Sequence, residues 1–291
     1  MPNDRQAKKS KEDSESKEVQ ERTSPGGHIV YAAVYEEGMH ELERTNSALA
    51  WSGVAAGLAM GFSLLTEGVL HSRLPDAPWR PLIEKFGYSI GFLMVVLGRQ
   101  QLFTENTLTV ILPLLRKPQM RMFMNVARLW AIVLFFNLVG TLAVAWIMGN
   151  TNMVSPEVRH AMQELSRSTV NHGFGTLLIR GIFAGFLIAF MVWLLPFAET
   201  ARVGVIIIIT YIVGIAELAH VIVGSFDAFY LVSIGEKNML DYLVFMGPVL
   251  LGNIIGGATM VAPTATAHRS REGKPRQSSR RRPPTRHAPA C

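Results

Sequence analysis

GRQQLFTENT, residues 98–107, places Arg99, two glutamines and Glu105 in a stretch that otherwise reads as a membrane span, with GYSIGFLMVVL before it and LTVILPLL after it. A second polar cluster interrupts an apolar run further on, at Glu217, His220 and Gly224-Ser-Phe-Asp227. Intramembrane ionisable groups are costly and are functional suspects by default, each needing a partner. The bland roles are structural. Arg99 can pair with Glu105 or Glu217 to lock two interrupted helices together, and Asp227 can cap a helix resuming at AFYLVSI. His220 has no adjacent basic competitor and a reference pKa of about 6.5, so it can hold or donate a proton at working pH, or it can be a satisfied core histidine. A third chemistry is open: Glu37-Gly-Met-His40 and Glu217-Leu-Ala-His220 are both E-x-x-H, the spacing that sets two metal ligands on one helix face. A metal site would need both pairs to meet, yet one lies outside the apolar spans and the other at mid-depth.

The elements that must position these groups are membrane helices. Of 291 residues 49% are hydrophobic and 17% charged, where a soluble domain carries about 25% charged residues. The charge is concentrated at the ends, between Asp4 and Arg22 and between Arg269 and Arg286, so residues 1–35 and 263–291 read as disordered tails around a channel-sized domain at 36–262. The basic C-terminal tail suits anionic lipid rather than nucleic acid. The single cysteine, Cys291, allows no intrachain disulfide, and no cleavable signal peptide is visible. A helix crossing the hydrocarbon needs about 20 mostly apolar residues. Ala48–Leu65, Leu129–Met148, Gly181–Ala198 and Tyr242–Ala262 qualify as uninterrupted runs, the third starting a turn or two early to take in Arg180. Gly87–Leu115 and Val203–Ile234 are interrupted by the two polar clusters. The expectation is an all-α membrane protein with six transmembrane helices, the second and fifth broken.

The order whole, broken, whole, whole, broken, whole suggests a repeat. Gly57-Leu-Ala-Met-Gly61-Phe62 matches Gly181-Ile-Phe-Ala-Gly185-Phe186, and Asn137-Leu-Val-Gly140 matches Asn253-Ile-Ile-Gly256. Each half holds three crossings, so the second is inserted upside down, giving two inverted three-helix repeats with a site where the broken helices meet. Basic residues favour the side holding both termini and the loop with Arg116, Lys117, Arg121 and Arg128, which places both termini in the cytoplasm. Glu36–Leu49 is expected to form a helix lying on that face. Broken backbone in lipid survives only inside protein or beside a watery path, so LFTENT and GSFDAF face inward.

At this point the chain resembles the formate/nitrite transporter family. The resemblance rests on two broken helices, Leu102-Phe103-Thr104 in the second span, a lone His220 in the fifth, the asparagine–glycine motifs of spans three and six, and RGIFAGFLIAFMVWL from Arg180, and it covers about Ala48 to Ala262. It implies an aquaporin-like protomer, a homopentamer and a pore in each protomer for small monovalent weak-acid anions such as formate, nitrite or acetate, in a bacterial inner (plasma) membrane. By the same resemblance Leu102, Phe103 and Thr104 form a constriction and selectivity loop with His220 at its centre. Phe226 counts among the pore-lining candidates, and Glu217, Arg99 and Glu105 are charges that could tune it. No cofactor, metal or enzymatic activity is implied. Three positions depart from the family pattern: Thr169 and Gly185 stand where a lysine and an asparagine help polarise the histidine, and Gly224 replaces a further asparagine. Glu217 and Glu105 are added instead, and ionised they would repel anions. The alternatives are a channel for small neutral solutes or water, and a structural or sensory membrane protein. No nucleotide-binding glycine motif is visible, which argues against ATP hydrolysis by this chain.

Overall fold

The computed structural model describes residues 26–272, and the tail expectations at 1–25 and 273–291 lie outside the described residues. Four helices are long and apolar enough to cross a membrane: α2 (Asn46–Arg73), α7 (Met120–Asn150), α9 (Phe174–Leu194, continued by a 3-10 turn to Phe197) and α12 (Met239–Glu272). They coincide with the four uninterrupted runs. Between them, in the expected order, lie two interrupted stretches. The first is α4 (Tyr88–Leu97) followed by α5 (Phe103–Thr109) and α6 (Ile111–Arg116). The second is α10 (Arg202–Ile215) followed by α11 (Val221–Ser233).

Two helices outside these spans were not foreseen, a short α3 (Arg80–Glu84) and α8 (Pro156–Val170). The start of α8 follows helix chemistry closely: Ser155 accepts a hydrogen bond from the Val158 amide and Pro156 occupies the first turn, where its missing N–H costs nothing. The tail boundaries also need correction. Helix α1 spans Gly27–Glu43, so residues 27–35 are helical, not a disordered tail. Tyr31, Val34, Tyr35, Gly38 and Leu42 recur at three- and four-residue spacing and bury one face of it. At the other end the backbone of α12 stays helical to Glu272, past residue 262.

The whole helices pack in pairs through bare backbone. A Cβ on Gly57 of α2 would overlap the carbonyl oxygen of Asn137 in α7, and one on Gly185 of α9 would overlap that of Asn253 in α12. Small residues let membrane helices approach this closely, where dispersion contacts and not water expulsion hold them. The two crossings correct the register of the repeat. Gly57 corresponds to Gly185, and Gly53 to Gly181, one helical turn away from the alignment of Gly57 with Gly181. The asparagine–glycine match stands, because Asn137 and Asn253 make the same bonds in the two halves.

Candidate functional site

Each interruption is built by the same residues in the same geometry. Helix α4 ends in a left-handed residue, Arg99 (φ 49°), and α10 in another, Glu217 (φ 50°). The amide one residue later turns back on the helix, Gln100 to the Val95 carbonyl and Leu218 to the Val213 carbonyl, both at 2.9 Å. Extended residues then start the next helices: Leu102 at φ −103°, ψ 128° and His220 at φ −102°, ψ 126°. A buried asparagine satisfies each break. Asn137 Oδ1 accepts from the Phe103 amide (2.9 Å), while its Nδ2 donates to the Gly53 and Gln101 carbonyls (both 2.8 Å). Asn253 does the same for the Val221 amide (2.9 Å) and the Gly181 and Ala219 carbonyls (2.9 and 2.8 Å). Unpaired backbone in a lipid environment costs several kcal/mol per group, at roughly the scale of a polar group moved into hydrocarbon, so one side chain with one acceptor and two donors is an economical solution.

The two broken stretches meet where α5 and α11 begin. Thr104 Oγ1 and His220 Nε2 lie 2.7 Å apart, both buried, and Phe92 makes a T-shaped contact with the imidazole at 5.0 Å. His220 also caps its own helix, its Nδ1 accepting from the Val223 amide at 3.3 Å. The hydrogen-bond network therefore assigns the neutral tautomer: Nδ1 accepts, so Nε2 carries the hydrogen and donates to Thr104. The cap expected of Asp227 belongs to His220, and Asp227 sits inside α11 because the helix starts at Val221.

A cavity opens on each side of this pair. The larger, about 570 Å³, is lined by Glu37, His40 and Glu41 of α1 and by Arg99, Gln101 and Glu105 of the first break. The smaller, about 140 Å³, has His220 on its wall with Glu67, Lys85, Thr169, Arg180 and Asp227. Leu102 and Thr104 line neither; both are buried, in the chain between Gln101 on one cavity and the bond to His220 on the other. Phe103 packs edge-on against Trp130 (5.7 Å) and Phe226 lies against Gly61 of α2, so both are buried in the wall behind the pair.

The charges sort differently from the pairing expected of them. Arg99 and Glu217 occupy equivalent positions on different cavities. Glu217 pairs with Arg180 (3.1 Å), which lies two turns into α9, and Arg180 also donates to His172 Nε2 at 2.6 Å. Glu105 keeps one buried carboxyl oxygen without a hydrogen-bond partner. The two E-x-x-H pairs do not meet, since Glu37 and His40 line the larger cavity and Glu217 and His220 the smaller. Among the described residues no cluster of three His, Cys, Asp or Glu could hold a metal ion. Gly185 leaves no room for an asparagine, because its Cβ position is taken by Asn253 backbone. Sequence reasoning missed Lys85, which bonds Glu67 Oε2 at 2.5 Å, and Gln101, which receives a hydrogen bond from Asn106 (3.0 Å) and donates one to Glu41 of α1 (2.7 Å). A lysine at the end of an apparent loop gave no signal by spacing alone.

The formate/nitrite transporter family model matches residues 28–266. The inner membrane protein YfdC of Escherichia coli K12 is 38% identical over 234 residues, covering 80% of this chain and 76% of its own length. The formate channel BtFdhC of Bacillus thuringiensis is 24% identical over 237 residues, covering 78% and 89%. Among solved structures, a pentameric formate channel with formate bound superposes with a TM-score of 0.64 at 21% identity, covering 81% of this chain and 98% of that one. An ion channel of the same family reaches 0.68 at 18% identity, covering 82% and 99%. With the family model spanning both broken stretches and the membrane-crossing lengths of all four whole helices, this integral membrane protein belongs to the formate/nitrite transporter family, a family of channels and transporters.

Proposed function

We propose that the chain conducts small monovalent weak-acid anions, of the formate, nitrite or acetate kind, through a pore within each protomer, and that Thr104 and His220 are its central contacts. Each broken stretch counts as one crossing, giving six in two inverted halves. The observation that carries the reading is the 2.7 Å Thr104–His220 contact at the meeting point of the two breaks, with a cavity on either side. A carboxylate in a dry constriction loses its hydration at a cost of several kcal/mol, and a neutral imidazole N–H with a hydroxyl beside it returns part of that cost. Once the solute enters, it takes the place of Thr104 as the acceptor for His220 Nε2–H, and the Thr104 hydroxyl turns its own hydrogen to the anion. Leu102 and Phe92 supply the apolar walls that strip water. The solute names of the relatives, formate channel among them, support the same class. We also infer a homopentamer in a bacterial inner membrane with both termini cytoplasmic, from the pentameric neighbour and the basic 116–128 loop.

The test is radiolabelled formate and acetate uptake into proteoliposomes, beside osmotic swelling in a neutral solute. Wild-type protein takes up the weak acids, and His220→Ala loses most of that uptake between pH 5 and 8 while still assembling. Undiminished uptake by His220→Ala removes His220 from the mechanism. Swelling in glycerol without weak-acid uptake replaces the anion by a neutral solute.

A further inference from the structure

We propose that Asp227 is a specificity-determining residue that sets the charge of the His220 cavity, so that an anion is admitted only when this carboxyl carries a proton. The proposal rests on the functional reading above and adds a residue to it. His220, Gly224 and Asp227 stand at i, i+4 and i+7 of one helix and share a face, and all three line the smaller cavity. The Cβ direction of Gly224 is taken by the Phe245 ring of α12, so at this turn the helix presents only backbone to the cavity wall.

The charges around that space are paired, with Asp227 left over. Lys85 Nζ is held by Glu67 Oε2 at 2.5 Å, and Arg180 is held by Glu217 at 3.1 Å. Glu84 is engaged from outside by His71 (2.8 Å) and Arg80 (3.8 Å). Asp227 has only hydroxyl partners, Ser166 at 3.4 Å and Thr169, both on α8. The groups facing it from its surroundings are Glu67 on α2, Lys85 at the end of α3, Tyr88 at the start of α4, and the two hydroxyls. On α12, the Tyr242 hydroxyl lies in hydrogen-bond contact with Ser225. With Asp227 ionised, the Lys85–Glu67 and Arg180–Glu217 pairs cancel and one negative charge remains beside His220. It repels an approaching anion with little water to screen it. With Asp227 protonated, the cavity is neutral and the carboxyl O–H is a further donor for the solute. Entry of an anion then requires that this side chain hold its proton.

The experiment measures formate flux in proteoliposomes at matched internal and external pH, with and without a potassium–valinomycin potential. Wild-type flux is expected to fall about tenfold per pH unit above the titration midpoint and to be driven by the potential below it, since the carboxyl keeps its proton while the anion passes. Asp227→Asn is expected to flatten the profile under the same potential, so that at pH 8 it carries at least about tenfold more than wild type. An unchanged profile in Asp227→Asn overturns the proposal and assigns the pH dependence to the solute, while the wider functional reading stands. Absence of weak-acid flux in wild type removes both. If Asp227→Asn does not assemble, Ser166→Ala with Thr169→Val strips the hydroxyls that favour the ionised carboxyl, and the midpoint moves up. An unmoved midpoint then overturns it.

Discussion

The two broken stretches share a backbone and differ in chemistry. Leu102 and His220 have φ and ψ within 2° of each other, follow the left-handed Arg99 and Glu217, and are held by Asn137 and Asn253 through matching bonds. One break offers an isobutyl group at its helix start, the other an imidazole that caps the helix with one nitrogen and meets Thr104 with the other. The break is therefore made by the asparagine and the glycine crossing, which are duplicated, while the side chain at the resumed helix is free to differ. The halves diverge again beyond it: α11 runs 13 residues, whereas the first half has a 7-residue α5 and then α6, with Pro113 in it.

If the asparagines make the breaks, removing either should cost most and cost equally. Asn137→Ala and Asn253→Ala each leave one buried amide and one carbonyl of the break, that of Gln101 or Ala219, without a partner, while the Gly53 and Gly181 carbonyls keep their helical bonds, a loss of about 3 kcal/mol or more. Thermal aggregation of detergent-purified protein checks it, and a stable variant in only one half would break the equivalence. Next come the crossings: Gly57→Ala and Gly185→Ala push a methyl into a facing carbonyl and should each cost roughly 1–3 kcal/mol. A much cheaper Gly61→Ala would not contradict this, because its neighbours are the side chains of Val144 and Phe226, which can yield. A smaller effect falls on function alone. His220→Leu makes the second break resemble the first and should reduce weak-acid flux about tenfold or more with little loss of assembly, one hydrogen bond to an anion being of that size. Leu102→His should not restore it in that background, since Thr104 faces the other helix. The smallest effect is outside the membrane. The Arg167 guanidinium holds Glu236 below the usual carboxylate range, with Gln163 assisting. The stability this pair adds is present above the unfolded glutamate value of about 4.3 and is lost as pH falls through the lowered folded value. Arg167→Ala should barely move the melting temperature at pH 7, and the difference from wild type should vanish in acid.

The interruptions were legible because polar residues at membrane depth are rare enough to stand out, and Asn137 and Asn253 because their glycine partners repeat at the same spacing. The register of the glycine crossing was not, because Gly53, Gly57 and Gly61 repeat every four residues and so do Gly181 and Gly185. Two alignments one turn apart therefore match equally well, and only the facing carbonyls decide. The start of α1 was present in the spacing of Tyr31, Val34, Tyr35, Gly38 and Leu42 but was masked by the charged residues before it. The partner of Glu217 was beyond reach, since Arg180 is distant in sequence and arrives only through the packing of α9 against α10.

The unequal cavities have a practical consequence. Drug-sized ligands occupy roughly 300–1,000 Å³, a range that includes the 570 Å³ chamber roofed by α1 and excludes the 140 Å³ chamber at His220. A blocker built to plug this protein from one end should therefore work when presented on the α1 face and fail on the opposite one.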